Sequence, residues 1–443
     1  MRRDVRRVLL VSSIGTRLRN LPWFEGLPRE VAVLSAVAFC VALGFGILAP
    51  AIPVFAKSFD VTATQAASVI SVFALLRLIG AVPAGWLVDR IGERSVLVAG
   101  LSIVAVSSAL AGFSTTFNQL LAFRGIGGLG SAMFSVSAMA LLLRSVGPGE
   151  RGRAAGAFQG GFLLGGVAGP AVGGIVTGFS VRLPFFVYAA TLGAAVVVVI
   201  TMMAHTRLRE KDPSAPVITD PEELAGWRQL VRALRDRAYV TALVVNLGNG
   251  FTAFGLRSAI VPLFVVYSLG LSPAWTGYGL LAAALVQAVL LLPAGRMADT
   301  RGRKPALVIG TGATTLGFVA LALTGAIPPF LGAMAVLGIG SAFLGSAPAA
   351  VVGDITGGRR SGPIVAAYQM MSDVGAVAGP VIAGRIVDKT GSYETAFFVG
   401  AAVVAVAFLL TLTMPETLRR ASGAATAETD AVAGGGTGQT ATS

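Results

Sequence analysis

The chain has 443 residues, of which 55% are apolar and only 12% charged, and its mean hydropathy is +0.79. Soluble domains carry about 25% charged residues, so this composition excludes a soluble globular protein and leaves a helical chain that crosses a membrane many times. The formal charge of +13 invites a polyanionic partner, but the basic residues sit in short polar segments between apolar runs, which assigns them to a membrane surface and its lipid and not to nucleic acid.

In chain order, residues 1–29 are polar and Arg-rich, and the apolar run Val8–Val11 is too short for the core of a signal peptide. Hydropathy then marks six spans near 31–56, 64–88, 95–112, 118–142, 153–177 and 183–203. Residues 30–203 therefore read as one six-helix bundle, and 204–237 as a polar central loop with a short helix expected over Pro221–Arg237. Six further spans, near 239–267, 272–298, 305–325, 329–352, 362–386 and 393–414, make a second bundle over 238–414. The segment 415–443, rich in Ala, Gly and Thr, has no basis for a packed core and is expected to be disordered. The alternating ten-residue segments of a membrane β-barrel are absent.

Charge sets the orientation. With the N-terminus inside, 27 of the 34 Lys and Arg fall on the cytoplasmic side, four (Lys57, Arg182, Arg385, Lys389) fall outside, and Arg77, Arg124 and Arg257 lie within spans. That bias predicts a multi-pass protein of the plasma (cytoplasmic) membrane with both termini in the cytoplasm.

One cysteine, Cys40, and one histidine, His205, cannot build a disulfide or a His/Cys metal cluster, and both read as structural. No metal or cofactor is called for. No nucleophile–base pair and no phosphate-binding loop appears, so an enzyme and an ATP-driven pump are both disfavoured.

The two halves repeat each other. PAGWLVDRIGERSVLVAG (83–100) aligns with PAGRMADTRGRKPALVIG (293–310) at a shift of 210 residues. Gly128, Gly130 and Ser131 recur at the same shift as Gly338, Gly340 and Ser341, and Gly165, Gly169 and Pro170 recur as Gly375, Gly379 and Pro380. Six spans separate equivalent positions, so equivalent helices run the same way and the bundles are related by an axis along the membrane normal. Transporters are built on this plan.

Three motifs lie on this frame. Gly85-x-Leu87-x-Asp89-Arg90-x-Gly92-x-Arg94 joins spans 2 and 3, and Gly295, Asp299, Gly302, Arg303 and Lys304 repeat it between spans 8 and 9. Arg124-x-x-x-Gly128-x-Gly130 lies in span 4, where a mid-helix charge costs about 2.5–3.5 kcal/mol on insertion scales, and its repeat carries Met334 in place of the arginine. Gly156, Gly165, Gly169, Pro170, Gly173 and Gly174 punctuate span 5, with glycines spaced for close helix crossing.

Together these motifs resemble those of the major facilitator superfamily, and in particular its twelve-helix drug/proton antiporter family, over roughly residues 30–415. The resemblance implies an all-α protein of twelve transmembrane helices in two pseudo-symmetric six-helix bundles. It implies that the Asp/Gly loop acts as a conformational latch, that Arg124 takes part in proton or substrate coupling, and that the span 5 pattern marks a proton-driven antiporter used in efflux and multidrug resistance. At Glu93 the chain departs from the basic residue usual in that loop, which is expected to weaken the latch in the first half. Span 1 lacks the acidic residue that several members carry. Asp373, in span 11, is instead the carboxylate nearest mid-span.

The expected function is secondary active export of small amphiphilic molecules by alternating access, in exchange for protons, by a monomer in contact with lipid. A facilitator or lipid/metabolite exporter without proton coupling, and a receptor-like protein that transports nothing, stay open as alternatives. Arg77 and Asp373 break the 210-residue symmetry, their counterparts being Gln287 and Leu163. In the family fold spans 2 and 11 meet across the halves, so these two are placed to pair there. Making and breaking that pair as the halves rock is expected to release and load a proton, with Arg124 assisting. Substrate contacts are expected from Arg257, Asn246, Asn249, Gln159, Phe158, Phe162, Gln369 and Tyr368. Three arginines against one aspartate within the spans predict that lipophilic cations are disfavoured.

Overall fold

A computed structural model of the chain describes residues 27–147, 150–202, 228–356 and 362–418. Among them, twelve helices are long and apolar enough to cross a membrane, and no residue is in a strand. The first six are α1 (Arg29–Lys57), α2 (Ala63–Ile91), α3 (Glu93–Gly112), α4 (Phe117–Ser145), α5 (Arg151–Phe179) and α6 (Leu183–Met202). The second six are α7 (Arg237–Ser268), α8 (Ala274–Thr300), α9 (Arg303–Ala322), α10 (Ile327–Thr356), α11 (Gly362–Thr390) and α12 (Tyr393–Thr413).

Turn chemistry explains how helices this long are joined by so little chain. Gly92 alone links α2 to α3, at a φ of 86°, and Gly302 precedes α9 at 120°; glycine takes these values without a Cβ penalty. Thr62 and Gln65 form a reciprocal capping box at the start of α2 (3.2 and 2.9 Å), and the Ser392 hydroxyl accepts the N–H of Thr395 at 3.1 Å to start α12.

Both halves pack by one scheme. α1 lies along α5, α4 sits between α2 and α3, and α6 covers α3; α7, α11, α10, α8, α9 and α12 repeat these contacts in the same order. Across the halves α2 meets α11 and α5 meets α8. Glycines of α5 let the α1–α5 contact close down to backbone: a Cβ on Gly161, Gly165, Gly169 or Gly173 would strike the backbone of α1 at Ser35, Phe39, Leu43 or Ile47 in turn. This four-residue ladder is the close-crossing stripe expected from the sequence, but its first rung is Gly161. Gly156 faces open space, because it lies more than a turn before the crossing begins.

Two expectations about segments need correction, and one helix departs from regular geometry. Arg237 opens α7 and does not close a loop helix; the part of that helix within the described residues is 228–233, and the remainder of Pro221–Arg237 before residue 228 lies outside them. The start of the 415–443 segment is packed, with Thr417 buried. There the Glu416 carboxylate accepts the N–H groups of Arg303 (2.8 Å) and Lys304 (3.0 Å), supplying acceptors that the first turn of α9 lacks. Finally, α7 is π-helical over Phe251–Ile260 and Phe264–Ser268. Its Ser258 hydroxyl donates five residues back to the Ala253 carbonyl (2.9 Å), and Gly250 and Gly255, five apart, both press on the backbone of α11.

The halves meet tightly at the rim opposite the basic segments. Here the Asp388 carboxylate of α11 accepts the N–H groups of Ala63 (2.8 Å) and Thr64 (2.9 Å) and the Thr64 hydroxyl, capping α2 of the other half. Gly174 of α5 and Gly277 of α8 touch backbone to backbone.

Candidate functional site

A cavity of about 340 Å³ lies between the halves, walled by α1, α2, α4, α5, α6, α7, α8 and α11. Its apolar wall is aromatic, and Phe45 of α1 joins the halves by standing 6.1 Å from Phe73 of α2 and 6.3 Å from Phe254 of α7 between ring centroids. Arg77, Arg124 and Arg257 are its charged lining, with Gln287, Ser131 and Tyr188 among the polar groups. Among the described residues no Asp or Glu lines it.

The three arginines are held in three different ways. Arg77 donates to the Asp373 carboxylate, joining α2 to α11 across the halves, and both side chains are partly exposed (37% and 24%). Arg257 donates to the Ser341 hydroxyl of α10 at 2.9 Å. It also borders a smaller cavity that includes Asn249. Arg124 is 1% exposed. Its Nε and Nη1 have no hydrogen-bond partner, and its guanidinium stands 4.4 Å from the centroid of Phe73, a cation–π contact that offsets only part of the cost of desolvation.

The glycines around Arg124 show why the motif is spaced as it is. A Cβ on Gly128 would strike the Phe73 carbonyl of α2, and one on Gly130 would meet Gly100 of α3. Two residues apart on α4, they face different neighbours and sink that helix between α2 and α3. Gly338 and Gly340 do the same on α10 against α8 and α9.

The proposed contact residues separate into three groups. Phe162 and Arg257 line the main cavity and Asn249 the smaller one. Gln159 and Gln369 do not line either. They extend the stripes Phe162–Gly166–Pro170 and Asp373–Ala376 by about a turn toward the basic rim and are exposed. Asn246, Tyr368 and Phe158 line neither cavity and pack within their own halves. Asn246 donates to the Tyr368 carbonyl (2.7 Å) inside the second half, Tyr368 packs on that half's core, and Phe158 is buried with its ring edge-on to Phe162 at 5.3 Å. Phe45, Phe73 and Tyr188 line the cavity without having been anticipated. Phe73 lies one turn from Arg77, so helical spacing could have flagged it; Tyr188 carries no such signal. Cys40 is half-buried beside the core, and His205 lies outside the described residues.

At the basic rim the repeated loop carries a charge-inverted contact. Glu93, at the start of α3, is buried and ion-paired with Arg144 at the end of α4. At the same places 210 residues on, Arg303 pairs with Asp354 at 3.1 Å and also with Asp299. The departure at Glu93 is therefore not a weakened contact but the same one with its signs exchanged. Arg94 donates to the Ile200 carbonyl of α6 (3.0 Å), and Arg90 stands 5.0 Å from the Trp86 ring. A Cβ on Gly85 or Gly295 would meet nothing within 4 Å, so neither glycine serves a close approach in this conformation.

The sequence model of the Major Facilitator Superfamily matches residues 34–284 and 242–437. The chain belongs to this superfamily. It is 24% identical over 371 residues to multidrug resistance protein 2 of Bacillus subtilis, covering 82% of this chain and 90% of that protein. To the quinolone resistance protein NorA of Staphylococcus aureus it is 26% identical over 267 residues, covering 58% and 64%. Among solved structures, a bacterial homologue of the human lysosomal transporter Spinster, in an inward-facing and unoccupied conformation, aligns with a TM-score of 0.71 at 16% identity, over 87% of this chain and 97% of that one. Membership makes the chain a multi-pass membrane transporter and not an enzyme, and it agrees with the twelve-helix fold read from hydropathy.

Proposed function

We propose that this transporter exports small amphiphilic molecules across the plasma membrane by alternating access, in exchange for protons, as a monomer with both termini in the cytoplasm. Residues 30–203 and 238–414 are the two moving bodies, and the Asp89 and Asp299 loops with their rim pairs act as the latch between facing states. The names of the two bacterial relatives, which concern drug resistance, support efflux. With the basic rim cytoplasmic, the tight opposite rim supports an inward-facing state, in which the exposed Gln159 and Gln369 border the mouth.

The observation that carries the coupling is the Arg77–Asp373 ion pair, which joins the halves beside the cavity. A carboxylate in contact with a guanidinium keeps its charge, whereas one stranded in a low-dielectric site takes up a proton. Separation of α2 from α11 then exchanges Arg77 for a proton, and their return expels it.

The test needs a substrate, supplied by a susceptibility screen in an efflux-deficient host. In proteoliposomes Asp373→Asn is expected to lose export driven by a pH gradient while retaining substrate exchange at equal pH. Cysteines replacing Arg77 and Asp373 in a Cys40→Ser background are expected to crosslink in one facing state. Normal gradient-driven accumulation by Asp373→Asn would refute the coupling.

A further inference from the structure

Two of the three cavity arginines lack a carboxylate. Arg77 has Asp373, but Arg257 has only the neutral Ser341 hydroxyl, and Arg124 leaves two buried N–H-bearing atoms unmet. A guanidinium taken out of water without a counter-charge is costly, and it is tolerated where something else supplies the missing acceptors. Arg124 and Arg257 come from opposite halves, α4 and α7, and both open onto the same space. Among the described residues no carboxylate lines that space, and an acid group on the cargo would supply the missing acceptor.

We propose that Arg124 and Arg257 form a clamp for the acid group of an anionic amphiphile, a carboxylate, sulfonate or phosphate on an aromatic or aliphatic body, gripped by one arginine from each half. The guanidinium fork matches the paired oxygens of such groups, and Phe45, Phe73, Phe134 and Phe254 supply a wall for the apolar body. A volume of about 340 Å³ lies at the small end of the range for ligand sites, which favours a compact cargo. The inference rests on the transport reading for the arrival and departure of the cargo; the site itself stands on the side chains.

The experiment is a calorimetric titration of the purified full chain in detergent with three compounds of one shape: 2-naphthoate, 2-naphthamide and 2-naphthylmethylamine. Naphthoate is expected to bind about tenfold or more tighter than the amide, as charge-assisted hydrogen bonds require, and the amine not at all. Arg124→Gln and Arg257→Gln should each weaken naphthoate by about tenfold, leave the amide within about twofold, and recover in part as Arg→Lys. The wild-type series decides the charge preference even if a variant does not fold. Equal or tighter binding of amide or amine, or no binding of any of the three, overturns the site. Loss through one arginine alone overturns the two-half clamp. Dihexanoyl phosphatidic acid, titrated in parallel, separates sources of the acid group, and tighter binding of that lipid than of naphthoate overturns the small-molecule assignment. The titration uses neither gradient nor turnover, so a failed clamp leaves proton exchange standing, and a normal Asp373→Asn leaves the clamp standing.

Discussion

Replacing Glu93 by arginine gives the first half the residue that the second half carries at the matching place, yet it should damage the protein. The Glu93 side chain is 8% exposed and its partner Arg144 34%. Removing one member of a fully buried pair costs about 3–5 kcal/mol; solvent reaches Arg144, which lowers the expected loss to about 2–4 kcal/mol. If a six-helix half unfolds as a unit, that corresponds to a fall of roughly 5–10 °C in melting temperature. The double variant Glu93→Arg/Arg144→Asp rebuilds the pairing of Arg303 with Asp354 and should recover most of the loss, giving a coupling energy of about 1–3 kcal/mol in a double-mutant cycle. Recovery should stop short by about 1 kcal/mol because of the helix dipoles. Glu93 lies in the first turn of α3 and Arg144 in the last turn of α4, where each sign is favoured, and the swap opposes both. The second half meets the same problem with Glu416, whose carboxylate sits on the first N–H groups of α9. The assay is intrinsic fluorescence during thermal unfolding of the detergent-purified single, double and wild-type proteins. An unchanged midpoint for Glu93→Arg, or a double variant as unstable as the sum of its singles, would refute the reasoning.

Two further predictions concern the rim opposite the basic segments, read by double electron–electron resonance between spin labels on cysteines at Ser58 and Thr390, both exposed, in a Cys40→Ser background. Asp388→Ala removes the acceptor for the two N–H groups and hydroxyl at the start of α2 and should add a longer-distance population; an unchanged distribution would show that this cap does not hold the halves together. Gly277→Leu puts a side chain where the backbones of α5 and α8 touch and should abolish the short distance, with Gly277→Ala intermediate. Retention of the short distance by both variants would mean that the contact is not needed for closure.

Much of the fold was legible because lipid demands long apolar runs and the chain supplies little else; expected span ends lie within about four residues of those observed. The glycine stripes were legible because backbone contact tolerates only glycine, and the loop signature because Gly92 and Gly302 take a positive φ. What escaped depended on partners distant in sequence. The role of Asn246 follows from the Tyr368 carbonyl, which no local pattern announces. The π-helical stretch of α7 has no period of its own in the sequence, although Pro262, which has no N–H to give, lies between its two segments. The Glu93–Arg144 pair could have been found, since both positions change sign at the 210-residue shift, but comparing the halves for what they share conceals what they exchange.

The glycine ladder between α1 and α5 also has a mechanical consequence. With α1 backbone seated directly on glycines of α5 at four successive turns, little side-chain bulk lies between them to shear, so the two helices tilt together as one stiff rod. The Gly174–Gly277 touch gives that rod a fulcrum near one end. From Gly174 back to Arg151 the rod is about 35 Å long at 1.5 Å per residue, so a tilt of about 10° that barely disturbs the fulcrum sweeps the far end through ~6 Å. A contact made of two hydrogen-bearing α-carbons thus has the leverage to open or shut the mouth of the cavity.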